Sequence, residues 1–161
     1  MGQILVVLFG LVLLGGCATA PLDVPEAAPE PVAPRAVTPA LLPLEDQLWG
    51  GVIARVENRP ATTVIEVLGY PLRGQEPRSG QPSLGRFRLR IDGFADPVDY
   101  RPGRRVTALG AVTGIEEGRI GERAYAFPVL EAYSVHLWPD AGPDRQDAGR
   151  VRFGIGIGIG L

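Results

Sequence analysis

A chain of 161 residues with a net charge of −2 has room for one domain with a sizeable core, but not for two. Its single cysteine excludes an intramolecular disulfide, and one histidine beside it leaves neither a Cys/His nucleophile pair nor a common zinc set to assemble. The 16 basic residues are all arginine and face 18 acids, so no whole-chain field draws in nucleic acid, and anion binding requires a local patch.

The first element is the apolar run Ile4 to Leu14. It fits a signal-peptide core and falls short of the roughly 20 residues that span a bilayer. Only the α-amino group supplies positive charge ahead of it, because Met1-Gly2-Gln3 carries no basic side chain. The run ends in Leu14-Gly15-Gly16-Cys17, small residues placed directly before the cysteine, which reads as a lipobox. Cleavage before Cys17, with acylation of its thiol and new amino group, ties the product to a membrane. Each buried lipid methylene contributes about 0.8 kcal/mol, and a second acyl chain makes the anchoring stable. The competing role for Cys17 is a buried free thiol. Myristoylation at Gly2 fits poorly, since Val6 stands where Ser or Thr is required. Ala18, rather than Asp, follows the cysteine, and bacterial sorting rules then direct the protein to the outer membrane.

Seven prolines between residues 18 and 44 mark a linker: Pro21, Pro25, Pro29, Pro31, Pro34, Pro39 and Pro43. In extended polyproline geometry it reaches roughly 80 Å from the lipid, and a spacer and plain disorder both predict mobility. The expected organisation is a signal peptide over 1–16, lipidated Cys17 and linker over 17–44, a β domain over 45–139, and a linker with a glycine/isoleucine tail over 140–161.

From Leu48 to Trp138 the apolar period is two. Trp49 to Val56 alternates through Val52, Ala54 and Val56, and the Glu57-Asn58-Arg59-Pro60 turn leads into Ala61 to Leu68, which makes a hairpin. Pro71 to Gly85 holds too many breakers for regular structure and reads as a long loop. Arg86 to Asp92 puts Phe87, Leu89 and Ile91 on one face and Arg86, Arg88, Arg90 and Asp92 on the other, and Gly93 ends it. Arg105 to Thr113 is a further strand, Glu116 to Gly121 a turn, and Tyr125 to Trp138 a last strand with Tyr125, Phe127, Val129, Tyr133 and Val135 on one face. The expected fold is all-β: a small antiparallel OB-like barrel of five or six strands.

Several blocks carry a resemblance. Trp49-Gly50-Gly51-Val52-Ile53, Ile65-Glu66-Val67 with Pro71-Leu72, Gly85-Arg86-Phe87, Gly93-Phe94-Ala95-Asp96-Pro97-Val98-Asp99-Tyr100, Gly110-Ala111-Val112-Thr113-Gly114, Gly118-Arg119-Ile120-Gly121-Glu122 and Tyr125-Ala126-Phe127-Pro128-Val129 occur in order over about residues 47 to 138. With the lipobox, this pattern resembles the Slp family of starvation-inducible outer-membrane lipoproteins. Ala95 departs from the larger apolar residue expected there, and the linker and tail lie outside the matching blocks. The resemblance implies a lipid-anchored outer-membrane protein with a small β domain, linked to starvation or stationary phase, and no established catalytic activity.

The remaining candidates for chemistry are few. His136 stands alone near a strand end, so a partly exposed strand residue is its expected role. Asp92, Asp96 and Asp99 cluster at a turn but lack the glycine and distal glutamate of a calcium loop, which favours turn-forming work. Arg86, Arg88 and Arg90 form a candidate anion patch for lipid phosphate, against the plain alternative of a solvated sheet face. The tail from Gly154 to Leu161 alternates glycine with aliphatics and suits membrane docking, sheet-edge addition, self-pairing or disorder.

These features predict a non-enzymatic envelope lipoprotein with no cofactor, no metal and no nucleic-acid partner. Its expected partners are the membrane, through lipid on Cys17, and an anionic lipid or an envelope protein, in a structural or binding role under starvation or stress. The alternative is an OB-like ligand-binding or sensing module for an envelope component. A filled barrel favours the first reading, and a polar-lined pocket the second.

Overall fold

Alternating β-branched and aromatic residues build seven strands in the computed structural model, which describes residues 20–140. In chain order they are β1 (Leu44–Asn58), β2 (Thr62–Gly69), the two short strands β3 (Leu72–Arg73) and β4 (Glu76–Pro77), β5 (Gly85–Asp92), β6 (Arg105–Ile120) and β7 (Arg123–Leu137). Among the described residues there is no α-helix; two single 3-10 turns, Pro34–Ala36 and Pro39–Leu41, precede β1.

β1 pairs antiparallel with both β2 and β6, β2 with β5, and β6 with β7. Parallel pairing of β5 with β7, from Arg88↔Val129 to Arg90↔Glu131, closes the ring. The result is a closed barrel in the order β1-β2-β5-β7-β6, with β3 and β4 forming a separate hairpin. Closure leaves the five long strands no free edge.

β1 pairs with two neighbours, and Gly51 lets its backbone approach β2 closely. A Cβ there would lie 2.1 Å from the Leu68 carbonyl oxygen, closer than any side chain permits. Inside, Ile53, Ile65, Val67, Phe87, Leu89, Val106, Val112 and Leu130 are at most 1% exposed, so side chains fill the barrel. Trp49 meets Phe87 edge-on with ring centroids 5.0 Å apart. Burying each large apolar side chain contributes about 1.5–3 kcal/mol.

Four expectations are corrected. In β1 the inward set is Trp49 and Ile53, then Val56, because a bulge between Ile53 and Arg55 changes the phase that Val52 and Ala54 implied. In β7 a register shift between Ala132 and Ser134 does the same. Leu130, Ala132, Val135 and Leu137 face the core, whereas Phe127 and Val129 lie on the outer face and are buried there. β6 runs on through the expected turn at Glu116, and the chain reverses only at Gly121. The stretch read as a featureless loop, 71–85, contains the β3–β4 hairpin packed over Gly50 and Thr107.

The proline-rich segment also departs from the mobile linker expected of it. Over its described part it is a strap bound to the barrel. Val32 N donates to Gln47 Oε1 at 2.8 Å, Trp49 Nε1 donates to the Val32 carbonyl at 2.8 Å, and Arg35 N donates to the Leu84 carbonyl at 3.0 Å. Pro34 is buried, and Val37 joins the core cluster. Proline has no N–H to satisfy, so an extended strap of this composition leaves few buried donors to pair.

Candidate functional site

Strict alternation in β5 sets Arg86, Arg88 and Arg90 on the outside of the barrel, as expected. The structure then commits two of the three. Arg88 Nη1 lies 2.5 Å from Glu116 and Arg88 Nη2 lies 3.8 Å from Glu66, with its guanidinium 4.6 Å above the centre of the Phe127 ring. Arg90 pairs with Glu116 and Glu131. Arg86 is half-buried, and its backbone N–H donates to Tyr125 Oη at 2.9 Å.

These contacts make a ladder of two arginines and three glutamates over β2, β5, β6 and β7, with Val64, Phe127 and Val129 buried on the same outer side. Burial works against the charge on Glu116, but the Arg88 hydrogen bond and the charges of Arg90 and Arg88 outweigh it and hold the carboxyl below its usual range. The candidate anion patch thus presents far less free positive charge than its arginines imply. The missed partners were partly legible: Glu66 faces Arg88 and Glu131 faces Arg90 in register, and opposite charges on neighbouring strands attract.

A second feature is a cavity of about 420 Å³ between the strap and the barrel. Its lining is mainly apolar: Val32, Pro34, Leu48, Trp49, Tyr70, Leu72 and Leu84, with Glu30 at its rim. A third is the loop after β5, where Phe94 and Val98 are 73% and 75% exposed. Asp96 organises that loop: its Oδ1 accepts from Val98 N at 2.8 Å and its carbonyl accepts from Tyr100 N at 2.9 Å.

The β3–β4 hairpin is where the two ends of the described chain meet. Gln75 in its turn holds the backbone of Leu22 through Oε1 at 2.8 Å and Nε2 at 2.7 Å. Thr107 Oγ1 donates to the Gln75 carbonyl at 2.7 Å and accepts from Trp138 Nε1 at 2.9 Å. His136 is half-buried and meets Trp138 edge-on at 4.6 Å. Among the described residues, no three His, Cys, Asp or Glu side chains converge as a metal set. Leu14, Gly15, Gly16 and Cys17, and the tail from Gly154, lie outside the described residues.

Comparison with known proteins supplies what the geometry does not name. The chain is 34% identical over 130 residues to the lipoprotein YeaY of Escherichia coli K12, an alignment covering 78% of this chain and 67% of that protein. It is 31% identical over 101 residues to the outer membrane protein Slp of the same organism, covering 62% and 53% of the two chains. An uncharacterized protein of Haemophilus influenzae is 32% identical over 91 residues, covering 55% and 49%. The chain thus spans about two thirds of the first relative's length and about half of the other two. No solved structure matches it. The family description "Outer membrane lipoprotein Slp family" matches residues 14–153, taking in Leu14-Gly15-Gly16-Cys17, the strap and all seven strands. The chain therefore belongs to the outer membrane lipoprotein Slp family.

Proposed function

We propose that the protein is a non-enzymatic envelope lipoprotein, acylated at Cys17, that works in the outer membrane by surface contacts under starvation or stress. The filled interior carries this reading. Eight core side chains at most 1% exposed leave no room inside the barrel for a substrate. What remains for recognition is the outside: the strap, the loops and the β3–β4 hairpin. Membership in an outer-membrane lipoprotein family supports the location, and Leu14-Gly15-Gly16-Cys17 supports the attachment. Fractionation tests it. Wild type is expected in outer-membrane fractions after a salt wash, while Cys17→Ala is expected to leave them, and a mutant that stays behind refutes the lipid as main anchor.

A second reading, an OB-like binding module, draws on two observations. The first strand shared between second and fourth, with third and fifth parallel, matches the OB arrangement when the five long strands are counted alone. The cavity under the strap is of ligand size. Its occupant would be apolar, and an apolar fluorescent probe should light up with wild type and not with Leu72→Trp, which fills the space.

A further inference from the structure

The strap's first buried side chain is Leu22, held by Gln75 in the β3–β4 turn. The chain leaves the barrel at the same place, since Trp138 reaches Gln75 through Thr107, and Arg105 both pairs with Glu76 and donates to the Pro139 carbonyl at 3.1 Å. This is the β1–β6 side of the ring. β5, with the neutralised Arg88 and Arg90, lies across from it.

Between Cys17 and Leu22 the chain takes five steps, which span at most about 17 Å even when fully extended. A lipid on Cys17 therefore keeps the β3–β4 hairpin close to the bilayer. The charge on that hairpin suits such a neighbour. Arg73 and Arg78 are exposed and share a hollow of about 350 Å³ with Ser79 and Gln81. Glu76, the one acid among the described residues lining it, is held by Arg105. Among the described residues neither Arg73 nor Arg78 has a carboxylate partner. Guanidinium groups bind phosphate in forked pairs, and an anionic bilayer attracts each one further.

We infer that the β3–β4 hairpin face, through Arg73 and Arg78, is the membrane-docking surface, seated on the phosphate headgroups of anionic lipid and oriented by the short tether from Cys17. The orientation rests on the proposed acylation of Cys17; the affinity of the face does not.

Two experiments separate them. In the acylated mature protein, where Cys17 is blocked, a fluorophore is attached at Ser79→Cys or, across the barrel, at Asp92→Cys. In phosphatidylglycerol vesicles carrying a headgroup quencher, strong quenching at position 79 and little at 92 is expected, and Arg73→Gln/Arg78→Gln should weaken the quenching at 79 while the protein still sediments with vesicles. Equal quenching at both positions, or quenching at 79 left unchanged by the double substitution, overturns the docking surface. The unacylated Cys17→Ser chain should bind phosphatidylglycerol over phosphatidylcholine vesicles, about 25-fold more weakly once both arginines are replaced, at about fivefold for each. Binding indifferent to Arg73 and Arg78 also overturns it. A mature chain that carries no acyl mass removes the tether and with it the orientation.

Discussion

Trp49 Nε1 donates to the carbonyl of Val32 at 2.8 Å, so a core side chain of β1 grips the backbone of the strap. Trp49→Phe keeps an aromatic ring against Phe87 but leaves that carbonyl without its donor. The expected loss is about 1–2 kcal/mol in urea unfolding. Limited proteolysis should cut residues 21–43 faster in the variant, with the barrel strands still protected.

The ladder over β5 makes stability depend on acid. Glu116 titrates below the ordinary carboxylate value of 4.5, so the unfolded chain takes up its proton first as pH falls. Its contribution is complete above 4.5 and disappears as pH drops through the lower folded-state value. Urea midpoints should be level from neutrality to about pH 5 and decline below that. Glu116→Gln should lower the midpoint at neutral pH and flatten the acid decline. Glu57, also lowered through Arg59, is exposed and should matter much less.

In β1, Gly51→Ala would force a Cβ against the Leu68 carbonyl oxygen and Val67. Backbone cannot yield as a side-chain tip can. A loss on the order of 3 kcal/mol is expected in denaturant titration, large for one added methyl group.

Leu130→Ala empties a fully buried position facing Leu89 and should cost about 2–5 kcal/mol. Val98→Ser, at a position 75% exposed, should stay within about 0.5 kcal/mol. Thermal unfolding of the pair measures how much of the stability lies in the barrel rather than in the loop.

The sequence was most legible where no bulge interrupts a strand. Arg86 to Asp92 contains none, and its inward Phe87, Leu89 and Ile91 lie where period two puts them. β1 and β7 each hold an irregularity, and one extra residue turns every later side chain to the other face; Val135, beyond the shift in β7, therefore does not share the face of Phe127 and Val129 as unbroken alternation implied. The strap was illegible for a different cause. Its partners, Gln47, Trp49, Gln75 and Leu84, lie 15 to 53 residues away and bind backbone rather than matching side chains, so no local pattern betrays them. The arginines were visible, but their neutralisation depended on Glu116, which reaches them from a strand that reads in sequence as a turn.

Force gives the strap another meaning. A pull on the N-terminal end of the strap reaches the Leu22–Gln75 pair first, and only after that yields do Val32 and then Arg35 feel the load. Bonds arranged in this order are loaded one after another, as in a zipper. Tension on the strap would thus be relieved by lengthening it before any strand is torn out.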